Sequence, residues 1–190
     1  MRSSIGKVIK NIDIDGVRPS YFLLGDDFFM QNFFINKLKE KLNLRTNTKY
    51  FYLNEETDLI SFFNDITSLS LFDKNNLFII KNFNKISKDY QATLTNYLNQ
   101  SSNENIIIFI LDDFIIKNKF SKKISQKSII VDTRTPINKS KIKEWVKYYF
   151  KRDEIYIKNK ILDHFIENYS DDISTIINEV EKHYLFSQKK

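Results

Sequence analysis

Two carboxylates that follow a continuous apolar stretch are the side chains of this sequence best placed to do chemistry. Asp112 and Asp113 come directly after Ile106–Leu111, where every residue is apolar, so they lie at the end of a predicted buried strand. Acids in this place hold Mg²⁺ in nucleotide hydrolases when a glycine-rich phosphate loop and its lysine lie opposite them. Loop acids also commonly cap a strand end and the turn that follows it.

Glycines are too few and too scattered to form a phosphate loop. The 190 residues include only three, and no two of them fit G-x-G-x-x-G or G-x-x-x-x-G-K-[ST]: Gly6, Gly16 and Gly25. The turn in the corresponding place, residues 25–27, offers two negative charges where phosphates need backbone amides and a cation. We therefore predict no nucleotide binding at this turn, and we interpret Asp112 and Asp113 as strand-end caps.

Other catalytic and metal-binding patterns are also weak. Cysteine is absent, which removes thiol nucleophiles, thiolate metal sites and disulfides together. His164 and His183 both fall on predicted helices, and no G-x-S-x-G elbow accompanies them. We expect no metal, no cofactor and no catalytic site in this chain, although the numerous carboxylates do not exclude an active site.

The N-terminus and the lengths of the apolar runs bear on the compartment. The N-terminus lacks the apolar block of a signal peptide, and no apolar run approaches the ~20 residues that span a bilayer. The absence of cysteine agrees with a reducing compartment. We expect a cytoplasmic protein without a membrane partner.

A basic stretch from Lys117 to Arg152 is a second candidate for function. It holds twelve lysines or arginines and two acids, in a chain whose net charge is +6. Such asymmetry indicates an anionic partner, most simply nucleic acid, and the candidate contacts are Lys117, Lys119, Lys122 and Lys123. A solvated lysine face explains the same pattern equally well, because lysine makes few base-specific contacts.

Two large apolar residues in a predicted connection, Leu71 and Phe72, are the third candidate. They follow a helical pattern that ends at Ser68 and precede a predicted strand at 77–80, with a polar run at 73–76 between. Apolar loop residues either fold back over the core or anchor another protein. The stretch alone leaves both interpretations open.

The elements around these candidates predict two domains. Short apolar strands at 21–24, 50–53, 77–80, 106–111 and 128–131 alternate with amphipathic helices, after a helical lead-in that ends before Pro19. This alternation predicts a mostly parallel α/β domain over residues 1–136, covered on both faces. Beyond it, three amphipathic helices predict a small bundle over residues 137–190.

The order of these features resembles one family, the delta subunit of the bacterial DNA polymerase III clamp loader. The resemblance covers nearly the whole chain. The similar stretches are PSYFLLGDD at 19–27, SLSLF at 68–72, NLFIIKN at 76–82, IIIF at 106–109, KEWV at 143–146 and the helix at 171–182. It implies an AAA+-like parallel-sheet domain without a phosphate loop, followed by a three-helix lid domain.

The resemblance also implies a function and a set of partners. The chain would bind and open the sliding clamp for loading onto primed DNA, as an accessory subunit of a DNA-directed DNA polymerase that does not hydrolyse ATP itself. Leu71 and Phe72 would enter a hydrophobic pocket of the clamp, with Leu69 and Ser70 beside them. The implied partners are the beta sliding clamp, the gamma/tau and delta prime loader subunits, and primed DNA.

Two departures from the family pattern limit these expectations. Thr67 stands where family members carry glutamine at the start of the clamp-binding element. The helical collar domain through which loader subunits assemble has no counterpart in the sequence before Lys190. A nucleic-acid-binding module that uses the face from Lys117 to Arg152 remains the alternative function.

Overall fold

A parallel six-stranded sheet organises the first of two units, Met1–Arg134 and Thr135–Lys190. The computed structural model describes residues 2–42, 48–54, 58–67, 76–99, 105–151, 155–169 and 172–188. The strands are β1 (Ser3–Ser4), β2 (Ser20–Leu24), β3 (Thr48–Tyr52), β4 (Leu77–Lys81), β5 (Ile106–Leu111) and β6 (Ile129–Asp132). Their order across the sheet is β1-β6-β2-β5-β4-β3, and every pair is parallel.

Helices supply the crossovers that parallel neighbours require. They are α1 (Ile5–Asp15), α2 (Phe28–Leu42), α3 (Leu59–Thr67), α4 (Lys88–Asn99) and α5 (Lys119–Gln126), with a short 3₁₀ helix at Phe83–Lys85. The predicted parallel α/β architecture is therefore confirmed. The sequence did not predict β1, because a strand of two residues is too short to show a hydrophobic periodicity. The second predicted strand begins earlier than expected, and Leu53 lies just after β3, where its N–H still donates to the Lys81 carbonyl at 3.1 Å.

Both faces of the sheet are covered, which explains why β2 is apolar and buried along almost its whole length. Successive strand residues point to opposite faces. Tyr21 meets Phe34 of α2 edge-to-face at 5.4 Å, while Phe22 meets Phe83 on the other side at 5.7 Å. Aromatic pairs of this kind contribute about 0.5–1.5 kcal/mol beyond their buried area.

The second unit contains three described helices, α6 (Lys139–Phe150), α7 (Asn159–Tyr169) and α8 (Ile173–Gln188). Each buries one apolar stripe, formed by Ile142, Val146, Phe150, Leu162, Ile166, Ile173, Ile176, Ile177 and Val180. An ion pair between Lys143 and Asp163 at 2.5 Å joins α6 to α7. None of the helices in the described parts of the chain has the length and apolar character needed to cross a membrane.

Aspartate and asparagine side chains cap several helix starts in the described part of the chain. Asp27 accepts from the N–H of Met30 at 3.1 Å at the start of α2, and Asn138 accepts from the N–H of Ser140 at 2.8 Å at the start of α6. Asp172 caps α8. The Thr175 hydroxyl and N–H both donate to its carboxylate, and these hydrogen bonds hold the pKa of Asp172 below its usual value.

Candidate functional site

The carboxyl ends of β2, β4 and β5 meet at one edge of the sheet, where a nucleotide would bind in an ATPase of this architecture. A glutamine from α2 joins them. Gln31 is 1% exposed, and its Nε2 donates to the Gly25 carbonyl and to Asp112 Oδ1, both at 2.7 Å. Lys81 Nζ lies 3.1 Å from Asp112 Oδ2. Side chains of the protein itself therefore hold this edge together.

Gln31 stands at the lysine position of the phosphate-loop pattern when G-x-x-x-x-G-K is counted from Gly25, and Met30 stands at the second glycine. An amide brings no positive charge to a phosphate, and both of its N–H groups already have acceptors. The sequence predicted no nucleotide binding at this turn, but it did not identify Gln31. A polar residue beside the apolar stripe of α2 was the signal for it.

The two acids after β5 have different roles. Asp113 caps the turn as expected, because its Oδ1 accepts from the N–H groups of Phe114 at 2.7 Å and Ile115 at 3.3 Å. The hydrogen bonds from Ile115 and Phe114 lower the pKa of Asp113. Asp112 differs from the expectation, since its carboxylate pairs with Gln31 and Lys81 instead of a turn. Within the described residues, no group of three or more His, Asp or Glu could hold a metal ion.

Replacing Gln31 with leucine is expected to destabilise the first unit by about 1–3 kcal/mol, because the Gly25 carbonyl and Asp112 Oδ1 lose their shared donor. Urea unfolding followed by circular dichroism measures the change. Gln126→Leu is the matched control, because Gln126 is exposed and its replacement should cost less than about 0.5 kcal/mol. Equal stability of the two variants would contradict this role of Gln31.

A second buried amide lies at the opposite edge of the sheet, where β4 and β5 begin. Asn105 is 7% exposed and directly precedes β5. Its Nδ2 donates to the Ile66 carbonyl near the end of α3 at 2.8 Å, and its Oδ1 accepts from Asn76 Nδ2 at 3.1 Å. The N–H of Ile106 donates to the Asn76 carbonyl at 2.9 Å, which fixes the start of β4 beside β5.

The predicted clamp-binding residues, Leu69, Ser70, Leu71 and Phe72, lie outside the described residues. Described residues lie on both sides of them. Thr67 ends α3, and its hydroxyl donates to the Phe63 carbonyl at 2.6 Å. Asn76 immediately precedes β4. The described residues on either side of positions 68–75, Ile66 and Asn76, therefore both lie at the edge that Asn105 holds, opposite the edge that Gln31 holds.

All four predicted nucleic-acid contacts are exposed. Lys117 lies in the link before α5, with its Nζ 3.8 Å from Asp113 Oδ2. The other three lie on α5, which buries Phe120 and Ile124 and therefore presents its lysines to solvent: Lys119, Lys122 and Lys123. The structure thus places the four along one short surface segment. Whether that surface binds nucleic acid stays a prediction.

A comparison with protein families decides which group the first unit belongs to. The model for "DNA polymerase III, delta subunit" matches residues 21–134. The chain belongs to the DNA polymerase III delta subunit family. This match confirms the family resemblance inferred from the sequence. The matched stretch contains Gln31, Asn105 and the segment 68–75. No curated protein matches the sequence.

Solved structures show the same fold at low sequence identity. The Bacillus subtilis DNA clamp loader delta protein (YqeN) matches with a TM-score of 0.72 and 16% identity, over 96% of this chain and 57% of that one. Two variants of Thermotoga maritima RuvB match with TM-scores of 0.61 and 0.59 and identities of 11% and 10%. Each match covers 93% of this chain, and 59% and 58% of RuvB. The AAA+-like fold is confirmed, and the chain spans somewhat more than half the length of these proteins.

Proposed function

We propose that this delta-family chain binds the sliding clamp and opens it for loading onto primed DNA, without hydrolysing ATP itself. The observation that carries the proposal is the family match over residues 21–134, which includes the segment with Leu71 and Phe72. The carboxyl edge of the sheet supports the absence of ATP hydrolysis. There Gln31 stands in place of the lysine that a phosphate would need, and it hydrogen-bonds to Gly25 and Asp112.

Such a subunit can open the clamp with the energy of binding alone, without ATP hydrolysis of its own. A ligand shifts a conformational equilibrium only by the difference between its affinities for the two states. Leu71 and Phe72, with Leu69 and Ser70 beside them, must therefore bind the open clamp more tightly than the closed one. The α/β unit serves as the mount for this segment, in the cytoplasm and together with the gamma/tau and delta prime subunits of the loader.

The test uses the purified chain and a bacterial sliding clamp. Surface plasmon resonance measures binding, and a labelled clamp preloaded on nicked circular DNA reports opening as release from the circle. We expect binding, and faster release that is the same with and without ATP. A chain that does not bind the clamp, or that hydrolyses ATP, would contradict the proposal.

A second candidate function, contact with DNA, rests on the lysines of α5 and the link before it. Residues 114–131 contain five lysines and no acid. The helix is oriented by its buried apolar side, so the ammonium groups of Lys119, Lys122 and Lys123 extend from one exposed surface. Clustered exposed cations bind phosphates and release counterions, independently of base sequence. This role is compatible with clamp opening, since a loader acts on primed DNA.

Reversing two of these charges, Lys122→Glu with Lys123→Glu, is expected to weaken binding to primed DNA and to reduce the slope of log affinity against log salt by about 2. Fluorescence anisotropy at several salt concentrations measures both. The matched control is Lys7→Glu with Lys10→Glu, two exposed lysines of α1. If both double variants lower the affinity equally, only net charge matters and the α5 surface is not the contact.

A further inference from the structure

Three aromatic residues of α6 pack together on the surface of the second unit. The ring centre of Trp145 lies 6.4 Å from that of Tyr148, edge-to-face, and 6.3 Å from that of Tyr149, in a stacked arrangement. Tyr148 is 40% exposed, and the other two rings are half-buried. We infer that this aromatic cluster, residues 145, 148 and 149, stacks against the bases of single-stranded DNA. The choice of DNA rests on the proposed function, which brings the chain to a primed strand.

The core of the second unit uses a different stripe of α6. Ile142, Val146 and Phe150 recur at every fourth residue, and none of them is more than 1% exposed. Trp145 and Tyr148 are three residues apart, so the helix brings them to the same side, beside that stripe. An aromatic ring at the surface can stack against any base, because every base has a flat π-face. The cluster therefore has the chemistry of a base-binding platform.

Lysines on the same helix favour an anionic partner. Residues 139–151 contain five lysines and a single acid, Glu144. Lys143 is paired with Asp163 of α7. The other four lysines are exposed: Lys139, Lys141, Lys147 and Lys151. Aromatic rings for bases, together with cations for backbone phosphates, are typical of proteins that bind single strands without sequence preference.

Trp145 gives a direct readout, because it is the one tryptophan among the 190 residues. The experiment titrates the purified chain with oligothymidine and with an abasic strand of the same length, which keeps the phosphates and lacks the bases. We expect oligothymidine to quench the fluorescence of Trp145 and to bind at least about tenfold more tightly than the abasic strand. Equal affinity and equal quenching by the two strands would mean that charge alone is recognised, and would overturn the inference.

Variants of Tyr148 separate stacking from other effects. Tyr148→Leu removes the ring and should lower the affinity for oligothymidine by about 5- to 30-fold. Tyr148→Phe keeps the ring and should bind within about twofold of the wild type. The matched control is Tyr169→Leu, because Tyr169 on α7 is 41% exposed but lies among the acids Glu167, Asp171 and Asp172. We expect this control also to bind within about twofold of the wild type.

The outcomes separate this inference from the proposed function. Equal losses in Tyr148→Leu and Tyr169→Leu, or no loss in folded Tyr148→Leu, would overturn the stacking site. If Tyr148→Leu does not fold, the comparison of oligothymidine with the abasic strand on the wild-type chain decides. A chain that binds the clamp but shows no quenching by oligothymidine refutes only the stacking site. A chain that does not bind the clamp but is quenched by oligothymidine and not by the abasic strand keeps it.

Discussion

Replacing Leu71 and Phe72 together with alanine is expected to abolish binding to the sliding clamp and to leave the fold intact. Central apolar anchors that bury in a partner pocket contribute about 2 kcal/mol or more each. Loss of both corresponds to a decrease in affinity of about 10³-fold. Surface plasmon resonance against immobilised clamp measures the decrease, and circular dichroism checks the fold. The DNA affinity that we propose for the α5 lysines should not change.

The chain contains a matched control for this variant. Leu185 and Phe186 are also an adjacent leucine and phenylalanine, exposed by 59% and 70% on α8, and they lie outside the stretch that the delta family matches. Leu185→Ala with Phe186→Ala removes the same side-chain atoms and should bind the clamp like the wild type. If the Leu71 and Phe72 variant instead unfolds at a lower temperature, the pair covers the core, and the anchor hypothesis is wrong.

Much of the fold followed from the sequence because its signals are local. The all-apolar run at β5 indicates a strand covered on both faces, and an aspartate or asparagine before an amphipathic stretch indicates a helix start. The three caps at Asp27, Asn138 and Asp172 are of this kind. A two-residue strand such as β1 carries no such signal, because it forms only where β6 offers it a partner.

The residues that organise the two edges of the sheet could not be predicted in the same way. Gln31 bonds to a residue 81 positions away, and Asn105 to one 39 positions away, so neither contact has a sequence spacing to detect. Missing glycines excluded a phosphate loop but could not say what replaces it. The predicted clamp-binding residues came from the family resemblance, because two apolar residues in a connection are by themselves also typical of a core cap.

Gly25 follows β2 and packs against the backbone of residues 133 and 134, which follow β6. Its φ is +141°, a backbone conformation that residues with a side chain rarely adopt. A β-carbon built there would lie 2.4 Å from both the Arg134 nitrogen and the Thr133 carbonyl carbon, far inside the 3.5–4.0 Å of ordinary carbon contacts. Those atoms are backbone, and the N–H of Thr133 already donates to the Leu24 carbonyl at 3.0 Å. The neighbouring strand cannot move away without losing that hydrogen bond.

Gly25→Ala is therefore expected to lower the free energy of unfolding of the first unit by about 4 kcal/mol or more. Backbone strain and steric overlap both contribute to this loss. Gly16→Ala separates the two effects. Gly16 also has a positive φ, +81°, but its added β-carbon would meet nothing within 4 Å, so strain alone should cost about 1–3 kcal/mol. Urea unfolding of both variants gives the difference, which measures the overlap at the carboxyl edge. Equal losses would mean that β6 can shift, and that the packing of Gly25 against residues 133 and 134 does not fix this edge of the sheet.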